Sequence, residues 1–466
     1  MYVEPEDSRP TSPFQEFFRT EAAGGALLVA CACAALVVAN SAWADAYHRL
    51  LSVMIGIGAG GHALTLTLHQ WINDALMAVF FLLVGLEIKR EALAGELASP
   101  RQAALPIAGA IGGMVVPALV YVLTNGGGLA SRGWAIPMAT DIAFALGALA
   151  LVAPRAPVGL KIFLAASAIV DDIGAVLVIA LFYTGGIAWG ALGMAGLILL
   201  LLIALNVLRV RRLTPYLVLG LGLWFFVHES GVHATIAGVL LALTIPTRTR
   251  INAAQFSAKA RGLLDYFDHS ETGDVLVLTS KSQQEAIVAL ERASEGVTPP
   301  LLRLEHALHG FSAFVVMPLF AFSNAGVGLH RSLGGGVPLA VILGLAIGKP
   351  LGITGAALAA VRLRLASLPD GVNWTALHGC AWLAGIGFTM SLFIATLAFE
   401  GTTLLDAAKF GILAGSLLAG IVGAVVVRRG TSMRRFVGEN RTEQASDAGS
   451  CVRTVSDIPS NPGQTS

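Results

Sequence analysis

The chain has 466 residues, of which 55% are hydrophobic and 13% charged, with a mean hydropathy of +0.74. A soluble globular chain carries about 25% charged residues, and wrapping this apolar excess around one water-facing globule would leave much of it wet, so a membrane class follows. The formal net charge of +1, with no basic block interleaved with aromatics, argues against a nucleic-acid partner.

Spanning a bilayer takes about 20 apolar residues per helix. Twelve stretches qualify, near 22–42, 68–88, 103–124, 134–152, 158–183, 186–208, 214–229, 231–245, 307–328, 337–361, 376–399 and 406–427. The expected fold class is an all-α membrane protein of about twelve transmembrane helices. The seventh and eighth are short, and Ser230 and Gly231 barely separate them, so an eleven-helix count is open. The connections decide between the two. One side carries Lys89, Arg90, Arg101, Arg155, Lys161, Arg209, Arg211, Arg212, Arg362 and Arg364, against Arg49, Arg132, Arg331 and Lys409 on the other. That division is the positive-inside pattern, which an odd count would scramble. Both termini are then expected in the cytoplasm of an inner-membrane protein.

The segment 1–21 is polar and net acidic (Glu4, Glu6, Asp7, Glu16 and Glu21 against Arg9 and Arg19), unlike the basic start of a secretory signal, and reads as a cytoplasmic lead-in to an uncleaved helix. Spans one to eight occupy 22–245. Residues 246–304 read as a polar cytoplasmic insertion with an amphipathic helix around Lys281–Ala293. Spans nine to twelve occupy 305–427, and 428–466 reads as a disordered cytoplasmic tail. The run Gly56-Ile57-Gly58-Ala59-Gly60-Gly61 has dinucleotide-fingerprint spacing but no βαβ context, and is expected to be a flexible external loop. Cys31, Cys33, Cys380 and Cys451 form neither a disulfide framework nor a spaced metal site. No cofactor is expected.

Ionisable residues at membrane depth are costly and point to function. Asp171 and Asp172 lie mid-way along the fifth span, inside AIVDDIGAV, where a short acid cannot snorkel. Successive helical residues diverge by about 100°, so one carboxylate can face a cavity while the other meets a neighbouring helix. Two such groups titrate as a pair, and their oxygens are hard ligands for Na⁺ or Li⁺. Asp141 follows Pro137 and Thr140 inside the fourth span, which reads as a helix start within the membrane and hence a broken helix. Such unwound backbone is tolerated at depth only where it lines a cavity or is buried in protein. Lys349 has apolar runs on both sides and needs an anion or a helix C-terminus for company. A second break is expected at Gly385 and Gly387 in the eleventh span. Paired broken spans suggest inverted repeats, here helices three to five and ten to twelve, around a transport site.

The stretches WINDALMAVFFLLVGLEIKRE (71–91), GWAIPMATDIAFALG (133–147), LKIFLAASAIVDDIGAVLVIALFYT (160–184), SGVHATIAGV (230–239), PLFAFSNAGV (318–327), GKPLGI (348–353) and GIGFTMSLFIA (385–395) resemble the NhaA sodium/proton antiporter family, over nearly every span. The resemblance implies a homodimeric, electrogenic antiporter that expels Na⁺ or Li⁺ for a larger number of protons, serving pH and sodium homeostasis and salt tolerance. On matching positions it implies that Asp172 is the principal cation and proton carboxylate, and that Asp171 is its neighbour, paired with Lys349 in one state. Thr140 and Asp141 would lie where the broken fourth and eleventh helices cross. It also implies activation by alkaline pH through Glu87, Arg90, Glu305 and His309, with His233 a further member; Glu305 and His309 share a helix face at i, i+4. His306 reads as structural. The insertion beside Glu305 and the Gly-rich loop at 44–67, where the family forms a dimerising hairpin, are departures from the pattern.

Two other functions compete. A same-fold sodium-coupled symporter for an organic solute has no need of an adjacent Asp pair facing a buried lysine. A cation channel or sensor would want rings of like groups around a continuous pore. An enzyme is not expected, because no nucleophile–base pair, HExxH or phosphate loop is present.

Overall fold

The computed structural model describes residues 13–59, 62–125, 127–249, 251–269, 280–328 and 335–453. In chain order these form α1 (Pro13–Ala39), α2 (Ala44–Leu51), β1 (Met54–Ala59), β2 (His62–Thr67), α3 (Leu68–Ala94), α4 (Pro100–Thr124), a 3-10 helix (Leu129–Met138), α5 (Ile142–Val152), α6 (Val158–Phe182), α7 (Trp189–Val207), α8 (Leu213–Glu229), α9 (Ile236–Thr244), α10 (Ala253–His269), α11 (Lys281–Val297), α12 (Pro300–Asn324), α13 (Gly336–Arg362), α14 (Trp374–Leu383), α15 (Phe388–Phe399) and α16 (Leu404–Arg453). The protein is all-α apart from one two-stranded hairpin among the described residues.

Among the described residues, seven helices (α3, α4, α6, α7, α12, α13 and the 404–431 part of α16) are long and apolar enough to cross a membrane, and three bent pairs raise the number to as many as ten. The first pair, Ala23–Ala39 with Ala44–Leu51, turns through 116°. The other two are the expected fourth and eleventh spans. The 3-10 helix bends 44° into α5, and α14 bends 45° into α15. The expected seventh and eighth spans are α8 and α9, which at 17 and 9 residues are shorter than the about 20 that a span takes. Gly231 between them has φ +78°, which an L side chain rarely adopts.

Among the described residues three helices contain a π turn: α3 at Trp71–Leu76, α12 at Ser312–Val316 and α13 at Gly344–Gly348, immediately before Lys349. Helix α13 packs extensively on α4, and glycine makes the approach possible. A Cβ on Gly112 would collide with the backbone of Gly352, and one on Gly113 would lie 2.8 Å from Ile353 Cγ1. Small residues allow such close helix contacts where lipid supplies no hydrophobic drive.

One expectation is corrected. The Gly-rich segment is not a loop but an antiparallel hairpin, paired from Met54↔Thr67 to Ala59↔His62; Gly60 and Gly61 themselves lie outside the described residues. The alternation of Ile and Gly against Leu and Thr suits a two-sided ribbon. The hairpin is anchored at its end, where Thr67 and Gln70 form a capping box that starts α3. Trp71 Nε1 also donates to Ile55 O at 3.0 Å. Helix α16 runs on past 428 to Arg453; no proline interrupts it before Pro459, and residues 454–466 lie outside the described residues. The insertion holds α10 and α11, packed on each other, where the sequence pointed to one helix.

Candidate functional site

The two broken spans meet at their breaks. After Met138 the backbone is extended through Ala139, and Asp141 caps α5 by accepting from Phe144 N–H at 3.1 Å. The facing break runs from Ala384 to Gly387. Backbone joins backbone here: Asp141 N–H donates to Ile386 O at 2.8 Å. Ser391 Oγ donates to Ile136 O at 2.8 Å, and Phe388 N–H, at the start of α15, donates to Ser416 Oγ of α16 at 3.2 Å. Groups freed by unwinding are thus satisfied across the crossing, as a low-dielectric interior demands. Gly387 fits because a Cβ there would lie 2.9 Å from Ala139 O.

The charged groups are arranged by the helix ends. Asp141 accepts from N–H groups of two half-helices, Phe144 of α5 and Thr389 of α15 (3.2 Å), and also from the Thr389 hydroxyl. It therefore sits against two positive helix ends. Lys349 does the reverse. Its ammonium donates to Met138 O at the carbonyl end of the 3-10 helix, and to Asp171 Oδ2 at 2.6 Å. Both partners are nearly inaccessible, at 1% and 3% of side-chain surface. Thr140 Oγ1 lies 2.7 Å from the same Asp171 oxygen and 3.0 Å from Ala384 O, so its one proton is shared between them. The other oxygen, Asp171 Oδ1, is buried without a hydrogen-bond partner.

Asp172 is 2% exposed and lines a cleft together with Thr140, Asp141, Glu87, His309 and Ser312. The structure therefore brings together five of the sequence-derived residues (Thr140, Asp141, Asp171, Asp172 and Lys349) around the breaks at Pro137, Gly385 and Gly387. Glu87 and His309 lie on the same cleft, nearer its mouth. There Arg90 Nε is 3.1 Å from Glu305 Oε1, and Arg90 Nη2 is 3.2 Å from Glu91 Oε1. His233 has other neighbours. It lies between α8 and α9, its Nδ1 is 3.1 Å from Thr235 Oγ1, and its ring packs edge-on to Phe393. His306 is exposed.

Sequence reasoning missed Thr389, Ser391 and Ser416. Thr389 carried a signal, as a hydroxyl two residues beyond Gly387 in an apolar segment. Ser416 had none, because it acts from another helix 28 residues away. Among the described residues no group of three or more His, Cys, Asp or Glu side chains is placed to hold a resident metal.

Discontinuous helices crossing at buried charges define a secondary-transporter architecture of the kind described for NhaA. The family model for Na⁺/H⁺ antiporter 1 matches residues 15–427. The chain is 50% identical over 421 residues to the Na⁺/H⁺ antiporter NhaA of Oleidesulfovibrio alaskensis, covering 90% of this chain and 94% of that one. It is 49% identical to the NhaA of Koribacter versatilis (91% and 92% covered) and 44% identical to that of Helicobacter pylori (91% and 97%). The chain belongs to the NhaA Na⁺/H⁺ antiporter family.

Proposed function

We propose that this protein exchanges Na⁺ or Li⁺ for protons across the inner membrane, with both termini in the cytoplasm, and that Asp172 is the exchange carboxylate. One observation carries the reading. Asp172 lines a cleft and is adjacent in the chain to Asp171, whose Oδ2 is held by Lys349 and Thr140 while its Oδ1 has no partner. A sodium ion entering the cleft meets Asp172, Thr140 Oγ1 and the unpartnered Asp171 oxygen, all hard donors of the type alkali cations take. Binding it draws Asp171 from Lys349 and expels the protons held there. Occupancy by proton or by cation is mutually exclusive, and the loaded site opens alternately to each side.

More protons than sodium ions per cycle makes the exchange electrogenic, since both carboxylates and the lysine change their charge or partners. The Arg90–Glu305 pair and His309, at the cytoplasmic mouth, adjust the rate with pH and favour activity in alkali. The β1–β2 hairpin is the surface on which two copies meet.

Everted vesicles with a ΔpH-sensitive dye test the central claim. NaCl is expected to collapse an imposed pH gradient with the native protein, and Asp172→Asn is expected to abolish that response at unchanged protein level. A normal response in Asp172→Asn overturns the assignment. KCl in the same assay reads selectivity.

A further inference from the structure

Between the crossing and the cytoplasmic end of α14 lies a histidine that the exchange site does not use. Both nitrogens of His378 are engaged. Trp382 Nε1 donates to His378 Nε2 at 3.0 Å, and His378 Nδ1 lies 2.9 Å from Thr354 Oγ1 on α13. An indole N–H can only donate. Nε2 must therefore offer its lone pair, the neutral ring carries its proton on Nδ1, and the Thr354 hydroxyl accepts it. A second proton would have to sit on Nε2, facing another N–H, and the bond to Trp382 would be lost.

The position of this clamp gives it a use. Thr354 is five residues beyond Lys349 on the same helix. Trp382 is in the last turn of α14, where its carbonyl accepts from Gly385 N–H at 2.9 Å; two residues later, Ala384 O meets Thr140. The ring thus fastens the end of the broken span to the helix that carries the lysine. The elements packed on α14 are α13, α16, α6 and α5. Up to residue 431 their charged groups are Lys349 and Arg362 of α13, Asp406, Lys409, Arg428 and Arg429 of α16, and Lys161, Asp171 and Asp172 of α6, while α5 has none within Ile142–Val152. None of these is a hydrogen-bond or ion-pair partner of His378, so Trp382 and Thr354 set its proton.

We propose that His378 is a positioning residue for the exchange site. Neutral, it holds the end of α14 against the Lys349 helix; protonated from the cytoplasm, it releases that end and slows exchange. This rests on the exchange reading above and adds to it a group outside the cleft.

Two measurements test it. In ¹⁵N-histidine-labelled full-length protein, the His378 signal, assigned by its loss in His378→Gln, is expected to show the Nδ1–H tautomer in alkali and a doubly protonated ring in acid. A ring carrying its proton on Nε2 in alkali overturns the clamp, whether or not the protein transports. In everted vesicles, His378→Gln keeps an acceptor for Trp382 but cannot take a second proton. The acid limb of its rate profile is expected to move down by about one pH unit. Trp382→Phe, which lacks the donor, is expected to lower the rate several-fold even in alkali. A wild-type pH profile in His378→Gln overturns the proposal. If the native protein shows no sodium-driven proton movement, the exchange reading fails, and the tautomer alone decides the clamp.

Discussion

The crossing and the mouth of the cleft both set acids against bases, in very different surroundings. At the crossing, Lys349 and Asp171 are 1% and 3% exposed, and further hydrogen bonds from Thr140 and to Met138 hold them in place. At the mouth, Arg90 is 39% exposed and divides itself between Glu91 and Glu305. Charges taken out of water tolerate little misplacement, because their attraction offsets desolvation only with good geometry. Half-wet charges trade partners at small cost. The inner pair therefore fixes where charge sits, and the outer group can vary its pairing without disturbing the fold.

Substitutions can break or sharpen this contrast. Lys349→Leu leaves Asp171 buried without its cation and is expected to cost about 3–5 kcal/mol, read as a fall in thermal midpoint of the purified protein. Adding Asp171→Asn should recover part of the loss; a double variant no more stable than the single would show that the pair is not the source. Thr389→Val strips a hydroxyl from Asp141 but leaves the backbone N–H in place. An expected loss of about 1–3 kcal/mol should accompany a higher half-saturating sodium concentration in everted vesicles. Arg90→Ala should cost no more than about 1 kcal/mol, and less at high salt. Its expected signature is a displaced rate–pH profile with little change in melting. A stability loss as large as that of Lys349→Leu would erase the distinction between the two regions.

How much of this was legible in the sequence depends on the kind of signal. Asp141, Asp171, Asp172 and Lys349 stood out because a charge in an apolar run has few innocent explanations. Pro137, Gly385 and Gly387 marked breaks that the structure has, with bends of 44° and 45°. What could not be read was who meets whom. Thr389 reaches Asp141 across 248 residues and Ser391 reaches Ile136 across 255, and hydroxyls are too common in membrane helices to advertise a partner. His233 joins the pH-sensing candidates on resemblance alone, and its contacts with Thr235 and Phe393 could not be read from the sequence. Glycine misled at 56–61, where composition suggested looseness and the flanking alternation made strands. The short α8 and α9 show why a count of spans by length differs from one by charge.

The π turns in α3, α12 and α13 hold a further consequence. Each holds one surplus residue in a helix whose ends are anchored by its neighbours, like a wrinkle in a carpet nailed at both edges. Passing that wrinkle along by one step swings the intervening side chains through about 100° while the ends stay put. In α13 the wrinkle abuts Lys349. An ammonium can then be carried away from an aspartate by a local twist, with no need to slide a whole helix through the lipid.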